Sequence, residues 1–77
     1  FEAKEMVQRI VLEIDDSLSI HDFRLVAGPH HTNLIFDLVI PFSVKTDSRI
    51  IIDQINEKLQ NLDKKYYAVI TVDHSYV

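Results

Sequence analysis

The side chains best suited to metal chemistry are concentrated between His21 and Phe42, in the run HDFRLVAGPHHTNLIFDLVIPF. This run places three histidines and two aspartates on and between two segments that otherwise have the composition of buried β-strands. Imidazole nitrogens and carboxylate oxygens are ligands for zinc and related divalent ions. Burying such groups without a partner is costly. The pattern therefore indicates either a metal site or a contact between subunits.

Asp37 is the sharpest candidate ligand, because it interrupts the apolar run LIFDLVI of residues 34–40. A carboxylate in such a run needs a cation, a set of hydrogen bonds or water. The alternative to a metal ligand is an aspartate on the solvated face of an edge strand, which limits aggregation. His21, at the start of the same region, is a second candidate ligand. The alternative to a ligand role is a half-exposed histidine that is hydrogen-bonded to a carboxylate.

The remaining candidates lie in a turn and near the C-terminus. His30 and His31 are adjacent, and neighbouring residues of an extended segment seldom converge on one ion. We expect a solvated His30, whereas His31 could reach an interface or a second ion. Asp73 and His74 have suitable ligand chemistry, with a solvated tail as the alternative. Nitrogen and oxygen donors without sulfur favour zinc, manganese, iron, cobalt or nickel over copper(I).

Length and composition limit the possible functions. The 77 residues form one domain at most, and no cysteine is present to stabilise it by a disulfide. Hydrophobic residues make up 47%, which indicates a surface buried against something else. The net charge of −4, with no basic cluster larger than Lys64-Lys65, argues against nucleic-acid binding. With one glycine, no phosphate loop and no nucleophile–base pair with an orienting third residue, we predict no enzymatic activity.

The periodicity predicts five elements. An apolar stripe of period three and four marks a helix over residues 1–15, and strands are predicted over 19–27 and 32–42, joined by a turn at 28–31. Oxygens of Thr46, Asp47 and Ser48 can begin a second helix, and a third strand follows over 66–72. The second helix is expected to bury Ile52, Ile55, Leu59 and Leu62, widened by Ile50 and Ile51, with Lys64-Lys65 near its end.

The order α-β-β-α-β predicts an α+β, ferredoxin-like sandwich that lacks one strand, with a three-stranded sheet and both helices on one face. Period two assigns strand faces. The residues of the second and third strands that are expected to face the helices are Leu34, Phe36, Leu38, Ile40, Ala68, Ile70 and Val72. Those expected on the open face are Ile35, Asp37, Val39, Tyr67, Val69, Thr71 and Asp73. Such a half-apolar face is a plausible dimer surface.

Four parts of the chain resemble the cytoplasmic C-terminal domain of cation diffusion facilitators, which are membrane transporters of divalent cations. They are Ile20-His21-Asp22-Phe23-Arg24, Gly28-Pro29, the segment TNLIFD of residues 32–37, and the segment YYAVITVD of residues 66–73. The resemblance covers essentially the whole chain. It implies a metallochaperone-like fold of the order derived above, and a homodimer with zinc, manganese or an iron-group ion near the interface.

The resemblance also implies site residues and a location. His21, Asp37 and Asp73 match ligand positions of the family, whereas Thr71 stands where many members have histidine and His74 where many have proline. We expect the His74 side chain to point away from Asp73. Residues 1–77 would be a single domain, excised from a longer chain whose transmembrane part is its partner at the cytoplasmic side of the membrane.

The sequence therefore predicts a regulatory and dimerisation domain of a divalent-cation efflux transporter. Metal bound at His21, Asp37 and Asp73 or His74 would favour the closed pair of domains, with zinc as the first candidate and manganese or iron as alternatives. Two other readings stay open: a structural dimerisation domain without metal, and a small-molecule-sensing domain of the ACT type. The ACT type usually needs a glycine-rich loop and a fourth strand, and neither is visible here.

Overall fold

The computed structural model describes residues 2–74, and within this range the chain forms two helices and three strands in the predicted order. They are α1 (Ala3–Ile14), β1 (Ser19–Ala27), β2 (Thr32–Val39), α2 (Ser48–Leu62) and β3 (Tyr66–Asp73). The strands form one sheet in the order β1-β2-β3. This arrangement confirms the α+β, ferredoxin-like fold.

The sheet is mixed because its two connections differ. The short turn after Ala27 returns the chain antiparallel to β1, and β2 pairs with β1 from Ala27↔Thr32 to Ser19↔Val39. β3 is parallel to β2, from Thr32↔Tyr66 to Val39↔Asp73. A parallel neighbour requires a crossover, which α2 supplies. α1 contacts β1, α2 contacts β3, and the two helices contact each other, so both cover the same face.

The core lies between this helix layer and one face of the sheet. The inward set predicted for β2 is confirmed, because Leu34, Phe36, Leu38 and Ile40 are each at most 1% exposed. Ala68 of β3 is also buried, and Ile70 and Val72 pack against the cluster as predicted. The buried members of the helices are Val7, Ile10 and Val11 in α1 and Ile51, Ile55 and Leu59 in α2.

Some of the predicted elements were too long. β2 ends at Val39 instead of residue 42, although the backbone N–H of Ile40 still donates to the carbonyl of Asp73 at 2.9 Å. Pro41 follows and has no N–H to donate, which ends the ladder. Phe42 is 64% exposed. α1 runs over Ala3–Ile14, and Phe1 lies outside the described residues.

The buried stripe of α2 also differs from the prediction. It is centred on Ile51, Ile55 and Leu59, whereas Ile50 is 52% and Leu62 is 62% exposed. Leu62 follows Leu59 by three residues and so lies on the same stripe. Its exposure has a different cause, since α2 ends there and its last turn reaches past the core. Lys64 and Lys65 follow the C-cap Asp63 and are not part of the helix.

β1 contains a β-bulge that the sequence pattern did not reveal. The register shifts between His21 and Arg24, and Asp22 has φ of 55°. This is the left-handed region, which a residue other than glycine rarely adopts and which aspartate tolerates better than most. Phe23 lies on the helix side of the sheet, where its ring stacks on Phe36 with centroids 6.3 Å apart.

Candidate functional site

His21, Asp37 and Thr71 form one row across the open face of the sheet. His21 pairs with Asp37 in the antiparallel ladder, and Asp37 pairs with Thr71 in the parallel ladder. Asp37 lies between the buried residues Phe36 and Leu38, so its side chain emerges on the other face. Neighbouring strands are about 4.8 Å apart. We call these residues the polar row.

The bulge at Asp22 is what brings His21 into the polar row. The hairpin register begins with Ala27↔Thr32, and continued without a bulge it would pair Asp22 with Asp37 and His21 with Leu38. His21 would then lie on the helix side of the sheet. The extra residue shifts the phase by one and returns the imidazole to the open face. One left-handed residue therefore creates the pairing of His21 with Asp37.

Asp73 lies on the same face, one step along the strands from the polar row. It pairs with Val39, which pairs with Ser19 on the other side. Residues two apart in a strand are about 7 Å apart along it, so Asp73 is a diagonal neighbour of Asp37. Three predicted ligands, His21, Asp37 and Asp73, thus share the open face.

His74 and His31 lie apart from these three residues. The ring of His74 stacks on Phe42, with centroids 6.2 Å apart, and its Nδ1 lies 3.3 Å from the carbonyl oxygen of Ile40. The prediction that the His74 side chain points away from Asp73 stays a prediction. His31 is exposed in the hairpin turn, and its ring centroid is 6.2 Å from that of Tyr67.

His31 is far from the polar row along the strands. Tyr67 pairs with Asn33, four residues before Asp37, which is a separation of about 13 Å. His30, predicted to be solvated, is exposed in the same turn. The turn histidines therefore lie at the hairpin end of the sheet, and His74 lies at the opposite end.

The donor set on one protomer is small. Across residues 2–74, no group of three or more His, Cys, Asp or Glu side chains is arranged to hold a metal ion. His21 and Asp37 supply one nitrogen donor and carboxylate oxygens, which fit zinc or manganese in kind. They fall short of the four ligands of a tetrahedral site in number. Water or a second protomer would have to complete the set.

Apolar side chains of β2 and β3 lie beside the polar row. On one side, the neighbouring row across the strands is Arg24, Ile35 and Val69, by the same registers. Beyond it lies Tyr67, which is 49% exposed, and Val69 itself is 44% exposed. A face with exposed apolar residues beside a short polar row has the composition of an interface core with a few specific polar contacts.

The two edges of the sheet are less suited to association than this face. On β3, the side chain of Asn56 reaches from α2, and its Oδ1 accepts the backbone N–H of Ala68 at 3.0 Å. On β1, the bulge at Asp22 disrupts the regular pattern of edge groups. Both devices hinder the addition of another strand.

The carboxylates with a lowered pKa lie at helix ends, away from the open face. Hydrogen bonds from the Ser17 hydroxyl and backbone lower the pKa of Asp15, after α1. The side chain and then the backbone N–H of Arg49 lower the pKa of Asp47, the N-cap of α2. These two pKa shifts therefore reflect hydrogen bonds at the ends of the helices.

Comparison with protein-family models, curated proteins and solved structures gives no match. Within residues 2–74, neither helix is both long and apolar enough to cross a bilayer. The resemblance to cation diffusion facilitators, and the ligand roles of His21, Asp37, Asp73, His74 and His31, stay predictions.

Proposed function

We propose that the chain is a homodimerising, cation-responsive regulatory domain of a divalent-cation efflux transporter, of the cation diffusion facilitator type, acting at the cytoplasmic side of the membrane. The observation that carries the proposal is the polar row. It places an imidazole beside a carboxylate on the sheet face that the helices leave uncovered. The resemblance described from the sequence supplies the transporter context.

The proposed mechanism uses the incomplete donor set. Two copies associate through their open faces, and each contributes His21 and Asp37 near the contact. A divalent ion, with zinc as the first candidate and manganese or iron as alternatives, then finds enough ligands only in the closed pair. Because the ion binds the closed pair more tightly than the separated domains, it shifts the population towards the closed pair. The transmembrane part of the same parent chain would sense this shift.

The apolar neighbours support the same arrangement. Val69 and Tyr67 are about half exposed; Val69 lies in the row next to the polar row, and Tyr67 lies in the row beyond it. Removing such side chains from water favours association. Their presence explains how a pair could form, and the polar row explains how an ion could tighten it. We propose no catalytic role for this chain.

One observation favours a second candidate, a structural dimerisation domain that binds no metal. Thr71 occupies the third place of the polar row, and its neutral hydroxyl is a poorer zinc ligand than imidazole or carboxylate. The open face would then act through its apolar residues alone. The two candidates share the dimer and differ in the role of the ion.

The experiment is a titration of chelator-stripped protein with zinc and with manganese, followed by calorimetry and by sedimentation. We expect binding that shifts the monomer–dimer equilibrium towards the dimer, and we expect both effects to be lost in His21→Ala and Asp37→Ala. Asp53→Ala is the matched control, because Asp53 is an exposed carboxylate on α2 and outside the open face. It should bind as the wild type does.

The outcomes separate the candidates. A dimer that forms equally well with chelator and binds neither ion supports the structural domain. Metal binding that survives in both His21→Ala and Asp37→Ala shows that the polar row is not the site. A chain that stays monomeric under all conditions contradicts both candidates. Circular dichroism of each variant checks that the loss does not come from unfolding.

A further inference from the structure

A groove runs between α1 and the C-terminal end of α2, on the helix layer and away from the open face. Its volume is about 690 Å³. One flank of α1 lines it, and the other wall consists of Leu62, Asp63 and Tyr66. We call it the helix groove. Neither the polar row nor the proposed dimer uses it.

The floor of the helix groove is apolar. Met6 and Ile10 of α1 contribute to it, with Tyr66 at the start of β3. Leu62 is the informative residue, because it lies on the buried stripe of α2 and is nevertheless 62% exposed. A helix usually buries such a position against another element. Within residues 2–74 the helix layer has no element that covers Leu62.

The rim of the helix groove is predominantly acidic. Glu2, Glu5 and Asp63 line it, and Arg9 is the cation among the lining residues. Glu13 also lines it and lies 3.8 Å from the Nζ of Lys58.

The end of α2 adds to the negative potential of the rim. The last turn of α2 has no basic residue, so its C-terminal dipole is not compensated within the helix. Lys64 and Lys65 follow Asp63 in the chain but do not line the groove. A cation brought by a ligand would therefore meet carboxylates and a helix C-terminus together.

We propose that the helix groove is a docking site for a basic amphipathic helix of a partner protein. The apolar side of that helix would cover Leu62, Met6 and Tyr66. Its lysines or arginines would face Glu2, Glu5 and Asp63. A groove between two helices accepts a third helix in this way, with apolar anchors spaced by three and four residues. The 12 residues of α1 are about 18 Å long, which matches a partner of roughly three turns.

The test uses three synthetic peptides of about three helical turns, measured by fluorescence anisotropy. The first carries leucines on one face and lysines on the other. The second has glutamate in place of each lysine, and the third scrambles the first so that the apolar face is lost. We expect the first peptide to bind, and the other two to bind at least roughly tenfold more weakly.

Matched variants locate the binding. Leu62→Gln and Glu5→Lys should each weaken the binding of the basic peptide roughly fivefold or more. Leu12→Gln is the control for the first, because Leu12 is 51% exposed on α1 and does not line the groove. Glu57→Lys is the control for the second, since it changes the net charge equally at an exposed site on α2. Both controls should bind as the wild type does.

Several results would overturn the proposal. Equal losses in Glu57→Lys and Glu5→Lys would mean that the peptide responds only to net charge. Equal binding of the scrambled peptide, or no binding of the basic peptide at all, would reject an amphipathic ligand. A chain whose self-association is abolished by Leu62→Gln would identify a second copy as the occupant instead. Asp37→Ala should leave peptide binding unchanged, which separates this site from the open face.

Discussion

The two faces of the sheet differ in burial and in the kinds of side chain that they carry. On the covered face, Leu34, Phe36 and Leu38 are at most 1% exposed, whereas Tyr67 and Val69 on the open face are nearly half exposed. The described core contains no buried polar or charged side chain. Histidine, aspartate and threonine appear together on the other side of the same strands. The covered face therefore supplies the stability of the fold, and the open face can carry chemistry at little cost to folding.

The largest expected effect comes from removing matched aromatic rings on the two faces. Phe36→Ala deletes a ring that is 1% exposed and stacked on Phe23, and should lower the free energy of unfolding by about 3–5 kcal/mol. Tyr67→Ala deletes a ring that is 49% exposed and should cost less than about 1 kcal/mol. Urea unfolding at a protein concentration below any self-association measures both.

The comparison fails if the two variants lose similar stability. That result would mean that Tyr67 is buried in solution by a partner copy even at low concentration. Repeating the measurement over a range of protein concentrations decides this, because only an associating face gives a concentration-dependent midpoint.

An intermediate effect is expected at the bulge that assigns β1 side chains to the two faces. Asp22 has φ of 55°, and a β-branched residue in that region is strained. Asp22→Val should therefore cost about 1–2 kcal/mol of unfolding free energy. Asp22→Gly is the matched control and should unfold close to the wild type, since glycine adopts this conformation readily.

The same pair of variants tests the polar row. If Asp22→Val removes the bulge instead of straining it, the hairpin register would move His21 to the covered side, opposite Leu38. An NMR contact between the backbones of His21 and Asp37 that survives in both variants would show that the bulge is imposed by the surrounding sheet and does not depend on Asp22.

The strand faces of β2 and β3 could be predicted because their alternation is unbroken. Leu34 and Phe36 alternate with Ile35 and Asp37, and the structure places them on the covered and open faces as expected. In β1 the alternation changes phase at Asp22, and no glycine announces the bulge. A backbone conformation, and not a residue type, decides the faces there. Sequence patterns carry little information about such a conformation.

The candidate site was predicted in part for the same reason. Asp37 follows directly from its position in β2, and Asp73 from the alternation in β3. The pairing of His21 with Asp37 depends on the bulge and so could not be predicted from spacing. The exposure of Leu62 was also missed, because the stripe of α2 predicts burial and only the end of the core shows that the last turn extends past it.

The smallest expected effect concerns the N-cap of α2, the helix that packs with α1 on the covered face of the sheet. Asp47 Oδ1 accepts the backbone N–H of Arg49 at 2.8 Å, and Oδ2 lies 3.1 Å from the Arg49 guanidinium. These contacts, the side-chain one first, hold the pKa of Asp47 below its ordinary value. A lowered folded-state pKa means that the contribution to stability is present above the unfolded pKa of about 3.9 and is lost as the pH falls through the folded value.

Asp47→Asn should therefore flatten the acid side of the dependence of Tm on pH, since asparagine caps a helix without titrating. Asp47→Ala should lower Tm at neutral pH by roughly 5 °C, because it removes the cap altogether. Thermal unfolding by circular dichroism from pH 7 to about pH 3 measures both effects. The control is Asp53→Asn, an exposed site within α2 that should retain the wild-type slope. If Asp47→Asn retains that slope too, the acid sensitivity arises elsewhere, with Asp15 as the next group to test because Ser17 lowers its pKa in the same sense.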